Sequence, residues 1–285
     1  MKTLVNPSER QDHPQRVEDI ELGLLLDCIH RKCGYDFRDY ARASILRRVR
    51  KSMRDNELQT ISALQDLILH DDAEMATFID ALSVNVTSMF RDAEFFRAFR
   101  KYAIPRLETY PYLRLWLAGC ATGEEAYSVA IMLHEEGLLE RSRIYATDFS
   151  SRNVQSAKTG VFPAKLVKSY NKNYLRAGGK GKFSDYYSAR YNQAKVKRFI
   201  LDKISFAQHN LVTDQSFNEF HVILCRNVMI YFNRQLQEHV MNLIHESIAP
   251  LGFMGLGTKE AIFPVNFRTY YTEHGHGTRL FQLKN

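Results

Sequence analysis

The feature that most narrows the fold is a change of rhythm at Leu113. LRLWLAG (113–119) is a short apolar run ending in glycine, and EEAYSVAIMLHEEGL (124–138) has the spacing of an amphipathic helix. RIYATDFS (143–150) reads as a second strand ending in an acid, and SRNVQSAKTG (151–160) as a helix stopped by Gly160. FHVILCRNVMIYF (220–232) is a long apolar, β-branched strand candidate, and RQLQEHVMNLIHESIAPLG (234–252) is helical. GFMGLG (252–257) and GTRLFQLKN (277–285) supply two closing strands. Strands alternating with helices predict an α/β domain on a mostly parallel sheet, here over residues 111–285. One stretch, about 161–205, breaks the alternation. It is rich in tyrosine, YYSARY and VKRFI resemble strands, and AGGKGK (177–182) reads as a hairpin turn, so a small basic β-subdomain is predicted as an insert.

Upstream the pattern is helical. Leu22, Leu25, Leu26 and Ile29 form one stripe, and Ala41, Ile45, Val49 and Met53 another. TISALQDLILHD and DAEMATFIDALS continue the period. Residues 21–84 therefore predict a small all-α domain. Residues 1–20 are expected to be a mobile tail, and residues 85–110 a turn and helix linking the two domains. No apolar run reaches the length of a membrane span, and the polar N-terminus argues against a secretory signal. Four cysteines without a CxxC pair fit a reduced, cytoplasmic chain. The histidines are scattered. His274 and His276 stand in a His-Gly-His-Gly run that reads as a polar loop, so no metal is expected.

The net charge of +7 is unevenly placed. Between Ser151 and Ser205 thirteen Lys or Arg face two acids, Asp185 and Asp202, which suggests an acidic partner, a nucleic acid or an anionic surface. The helix at 42–54 carries a second cluster, Arg47, Arg48, Arg50, Lys51 and Arg54, beside its apolar stripe. A solvated face is the ordinary explanation of such a run.

The chemistry concentrates at strand ends. After the 113–118 strand comes Gly119-x-Ala121-x-Gly123, whose small residues let backbone approach a ligand, although many α/β domains carry a glycine there for packing alone. The strand that follows ends in Asp148, where an acid can accept hydrogen bonds from both hydroxyls of a ribose. The loop is neither the G-x-G-x-x-G of dinucleotide sites nor a G-x-x-x-x-G-K-[ST] phosphate loop. Glu124 and Glu125 at the helix start would repel a pyrophosphate. They suit a nucleoside that carries positive charge, and S-adenosylmethionine has a sulfonium and an ammonium.

Four stretches, NVTSMFRD (85–92), AGCATGEEAYS (118–128), ATD (146–148) and CRNVMIYF (225–232), resemble the chemotaxis receptor methyltransferase family, the CheR type. The likeness extends from about residue 20 to the end. It implies a Rossmann-like methyltransferase domain with an inserted β-subdomain, preceded by an all-α domain. It implies transfer of a methyl group from S-adenosylmethionine to glutamate carboxylates of a chemoreceptor, giving methyl esters for sensory adaptation and S-adenosylhomocysteine as product. By the same resemblance Asn85, Thr87, Arg91, Gly119, Ala121, Glu125, Asp148, Asn210, Leu211, Arg226 and Asn227 touch the cofactor. Arg91 and Tyr231 act on the reacting groups, and Arg47, Arg48, Arg50, Lys51 and Arg54 dock glutamate-rich receptor helices. Some members tether a receptor C-terminal peptide on the β-subdomain. A monomer recruited to membrane receptor arrays is the expected state. Where members often have proline, this chain has Ala126. Two other readings stay open: a cofactor-binding module without catalysis, and a nucleic-acid methyltransferase, suggested by a pI near 9.1 but without an Asn-Pro-Pro-Tyr type motif.

Overall fold

Amphipathic helices bury their stripes against one another, and the N-terminal part of the chain does so. The computed structural model describes the backbone of residues 7–83 and 87–285, and side chains from residue 15 onward. The chain divides into two units: Met1–Ser83 with Tyr231–Asn233, and Val84–Ile230 with Arg234–Asn285. The first is built from α1 (Pro7–Cys33), α2 (Arg42–Asp55), α3 (Ile61–His70) and α4 (Asp72–Leu82). Leu25, Ile29, Val49, Leu64 and Phe78 are buried in its core. Thr60 and Asp71 cap α3 and α4, their side-chain oxygens accepting from the N–H groups of Ala63 and of Ala73 and Glu74.

Tyr231–Asn233 complete this unit from far along the chain. The Ala41 N–H donates to the Tyr231 carbonyl at 2.8 Å, and the Asn233 N–H to the Asp39 carbonyl at 2.8 Å. Between them Tyr40 and Phe232 pair as an isolated bridge, with their rings edge-on at 4.9 Å. The expectation of a mobile tail over residues 1–20 is corrected from Pro7 onward. Proline is pre-set for the first turn of a helix, and Glu18 and Asp19 hold α1 to α2 through ion pairs with Arg50 and Arg42.

The second unit opens with α5 (Ala93–Ala98) and α6 (Ile104–Leu107), joined through a single π turn. The alternation predicted from Leu113 follows as β1 (Leu113–Ala118), α7 (Glu124–Glu135), β2 (Ser142–Asp148) and α8 (Ser151–Thr159). The insert holds β3 (Val161–Pro163), α9 (Val167–Arg176), β4 (Tyr187–Arg190) and β5 (Gln193–Val196). After it come α10 (Arg198–Leu201), β6 (Ile204–Gln208), β7 (Phe220–Cys225), α11 (Arg234–Ser247), β8 (Ile248–Leu256), β9 (Tyr271–His274) and β10 (Leu280–Leu283). The large sheet has the order β6-β2-β1-β7-β8-β10-β9, parallel from β6 to β8, with β10 antiparallel to both its neighbours. From β1 the chain winds first toward β6 and later, from β7, toward the other edge. The order therefore reverses between β1 and β7, the place where open α/β sheets bind ligands.

The insert is less purely β than expected. Its sheet, β3-β5-β4, ends at Val196, and α9 packs Tyr170 and Tyr174 into the core. Of the two expected strands, YYSARY holds β4, but the second half of VKRFI is the helical turn α10. Ile204–Gln208 leaves the insert to form the edge of the large sheet. AGGKGK is not a hairpin turn. It leads from α9 into the turn before β4, with Gly179 and Gly181 lying against the Tyr174 ring and hydroxyl. The hairpin turn is Tyr191–Asn192. His-Gly-His-Gly makes the β9–β10 connection: His274 Nε2 bonds Gln282 at 2.9 Å and its ring stacks on Tyr102. Among the described residues no group of three potential metal ligands comes together, and no helix is long and apolar enough to cross a membrane.

A buried ionic knot fixes the insert to α7. Glu135 accepts from the hydroxyls of Tyr174 and Tyr186, from the N–H groups of Lys180 and Gly181, and from Arg100. Burial alone raises the Glu135 pKa, but the bonds from Tyr174, Arg100 and Tyr186 outweigh it and hold the carboxyl below its usual value. A depressed folded pKa means the stabilisation is complete above the unfolded glutamate value, about 4.3, and is lost as pH falls through the folded one. Glu135→Gln should therefore cost about 1–3 kcal/mol at neutral pH, and the gap to the wild type should close as urea titrations move into acid. A gap that stays constant would remove the ionised carboxylate as its cause.

Candidate cofactor and catalytic site

The site is built at the carboxyl ends of β1, β2 and β7. β1 ends in a loop whose backbone turns sharply: Gly119 has φ 76° and Ala121 φ 46°. A Cβ on Gly119 would run into the Val228 side chain, so the β1 and β7 loops approach only because that position has none. Asp148, at the end of β2, is 6% exposed and holds this loop. Its Oδ2 accepts the Ala121 N–H at 2.9 Å, and its Oδ1 accepts the Ser150 N–H at 3.0 Å and Asn153 Nδ2 at 3.1 Å. Burial raises the Asp148 pKa, and these three bonds offset part of the rise. Oδ2 keeps a lone pair for a further donor such as a ribose hydroxyl.

The β7 end carries Arg226, whose side chain is 2% exposed. One guanidinium nitrogen pairs with Glu125 at the start of α7. The other pairs with Asp92 Oδ2 at 2.9 Å and reaches the Arg91 carbonyl at 3.3 Å. The guanidinium lies 4.2 Å from the Phe95 ring centre. Three residues separately expected at the cofactor, Arg91, Glu125 and Arg226, are thus drawn into one cluster. The preceding segment is tied to α7 as well, since the Phe90 N–H donates to the buried Ser128 hydroxyl at 2.9 Å.

Glu260 was not anticipated. It is 4% exposed and its carboxylate gathers the N–H groups of Asn227 and Val228 at 2.8 Å, Gly257 at 2.6 Å and Ile230 at 3.3 Å. Burial raises its pKa against the pull of these bonds. The clamp holds Asn227 in a left-handed conformation, φ 61°, one residue after Arg226. An acid inside GTKEAIF carries no periodic or motif signal, and three of its four partners are backbone donors about thirty residues away.

The other expected positions divide. Asn210 shapes the loop after β6: its side-chain oxygen accepts the Val212 N–H at 3.0 Å, and Leu211 is buried beside it. Thr87 is half-buried, and Asn85 lies outside the described residues. Tyr231 folds into the helical unit, where the Arg48 guanidinium sits 4.9 Å from its ring centre. This corrects the assignment of Arg48 to a docking face. Arg48 is 7% exposed, bonds Ser44, and belongs to the buried stripe of α2 with Ile45, Val49 and Ser52. Arg47, Arg50, Lys51 and Arg54 are exposed. Arg50 pairs with Glu18 and Lys51 with Asp55.

S-adenosylmethionine fits what is present: a backbone-lined loop without cations, and acids at the end of β2 and in the first turn of α7. Asp148 would meet the ribose, and the Glu125 region the methionyl ammonium. Asp148→Asn should weaken S-adenosylhomocysteine binding about ten- to a hundredfold in calorimetry, because an amide turns one acceptor into a donor facing N–H groups. Glu260→Gln should lower stability by about 2 kcal/mol or more for the same reason, and urea denaturation reads it directly. Wild-type affinity in the first or wild-type stability in the second would remove the role given to that carboxylate.

Comparison with known proteins gives the family. Residues 85–276 match the family described as CheR methyltransferase, SAM binding domain, and residues 20–83 match CheR methyltransferase, all-alpha domain. The chain is 44% identical over 248 residues to a protein named putative methyltransferase Cher3 of Pseudomonas putida, covering 87% of this chain and 91% of that one. It is 27% identical to chemotaxis protein methyltransferase Cher2 of the same species, over 82% and 87% of the two chains. It is 26% identical to the chemotaxis protein methyltransferase of Salmonella typhimurium, over 86% and 84%. The two family models together cover residues 20–83 and 85–276, and the chain belongs to the CheR family of S-adenosylmethionine-dependent methyltransferases.

Proposed function

We propose that the chain methylates glutamate side chains of a chemoreceptor-type protein, making methyl esters that tune a sensory response. The observation that carries this reading is the Arg226 cluster. It ties the backbone at Arg91 and the Asp92 carboxylate to Glu125 in the first turn of α7, which directly follows the glycine loop, and this supports a role for Arg91 near the cofactor. Relatives named chemotaxis protein methyltransferase support the choice of substrate.

When bound, S-adenosylmethionine supplies a methyl group activated by its sulfonium. A glutamate carboxylate is already ionised near pH 7, so the protein needs no general base. Its task is positioning and exclusion of water, which favours a reaction that cancels charge. In this reading Arg91 orients the incoming carboxylate through a bidentate contact. Tyr231 is assigned to the reacting groups on the family motif 225–232 alone. Arg47, Arg50, Lys51 and Arg54 on α2 attract the acidic receptor helix, a steering term that salt weakens. The protein works in the cytoplasm at receptor arrays, and a receptor C-terminal peptide on the insert is a further contact in this reading.

Incubating the protein with receptor-bearing membranes and methyl-labelled cofactor should give label that base releases as methanol. Arg91→Ala should slow transfer about a hundredfold at saturating cofactor. Arg47→Glu with Arg54→Glu should raise KM for receptor and flatten its salt dependence. Base-stable label would overturn the ester assignment. Cofactor binding without any transfer would favour a non-catalytic module.

A further inference from the structure

α9 has two faces of opposite character. Tyr170, Asn173 and Tyr174 point inward: Asn173 Nδ2 donates to the Met89 carbonyl at 3.1 Å, the Tyr170 hydroxyl reaches Glu124 at 3.3 Å, and Tyr174 packs on Phe90. On the outward face Lys168, Lys172 and Arg176 recur every four residues, and Lys165 precedes them by three, so the four form one stripe. All four are exposed, and none has a carboxylate within ion-pair distance among the described residues. The acids of the insert are few. Asp185 is exposed, and Asp202 pairs with Arg198.

Apolar groups accompany the cations where solubility gains nothing from them. Leu175, on the same side of α9, is 60% exposed. Tyr191, at the tip of the β4–β5 hairpin, is 94% exposed and follows the exposed Arg190. The tip lies at the start of the stripe, since the Ala164 N–H donates to the Asn192 carbonyl at 2.9 Å, immediately before Lys165. A row of unpaired Lys and Arg with an exposed tyrosine and leucine is the composition of an interfacial membrane contact. The cations meet anionic headgroups, and the amphipathic ring and aliphatic side chain enter the headgroup layer.

We propose that this face of the insert binds an anionic phospholipid surface. The acid-poor stripe attracts the negative leaflet, and Tyr191 and Leu175 add the apolar part of the contact. The surface is separate from the residues that hold the cofactor loop, and the proposal does not rest on the identity of the methyl acceptor.

The test is co-sedimentation of the full chain with phosphatidylcholine vesicles, with and without about 30% phosphatidylglycerol, at low and high salt. Binding is expected only to the anionic vesicles, and it should fall with salt. Lys168→Gln, Lys172→Gln and Arg176→Gln together should weaken it roughly a hundredfold, about fivefold for each cation near the surface. Tyr191→Ser with Leu175→Ser should weaken what remains at high salt. These positions are exposed, so unchanged circular dichroism and S-adenosylhomocysteine affinity are expected and separate loss of binding from loss of fold. No association with anionic vesicles at low salt would overturn the proposal, as would association unchanged by the triple substitution. Binding of the stripe to polyglutamate but not to vesicles would also overturn it, and would assign the surface to an acidic protein segment.

Discussion

The buried guanidinium of Arg226 is the contact on which the site depends. It pairs with both Glu125 and Asp92, reaches the Arg91 carbonyl and lies over Phe95. A cation this deep is tolerated because carboxylates and an aromatic face are in place, and removing the guanidinium would leave two carboxylates without their shared counter-charge. The consequence is geometric. The loop after β7, the first turn of α7 and the segment before α5 cannot be arranged independently. The Glu260 clamp and the Asp148 contacts extend the same logic, since each uses one buried acid to fix several backbone N–H groups of a neighbouring loop.

Much of this was legible in the residues. Apolar runs broken by glycine and ended by an acid located β1, α7 and β2, because a parallel strand buried on both faces has few other compositions. Asp148 was readable as a strand-end acid, and Arg226 through its motif. Glu260 was not, because a carboxylate that serves backbone donors leaves no complementary residue type to find. Arg48 was misread for a related reason. Within a run of arginines, only the register of Ile45, Val49 and Ser52 and a tyrosine 183 positions later decide which one is buried. In the insert, VKRFI has strand propensity, but α10 packs Ile200 inward and begins just after β5. Local preference gave way to packing there.

The insert is joined to the catalytic unit more firmly than its place in the chain suggests. Glu135 and Glu136 grip Arg100, Lys180 and two tyrosines, while α9 touches the segment before α5 and Glu124. Whatever engages its outer face engages a body whose inner face touches the loops of the cofactor site. In such a knot, several modest bonds act together because each buried polar group depends on the others for its partner.

Tyr231–Asn233 give the helical unit a timing that its helices do not show. During synthesis α1 to α4 leave the ribosome before the sheet, yet Ala41 N–H and the Asp39 carbonyl wait for partners that emerge about 190 residues later. Until then Arg48 lacks the ring that covers it. The helical unit, translated before the sheet, is therefore finished after it, when the Tyr231–Asn233 segment arrives behind the β1–β7 core.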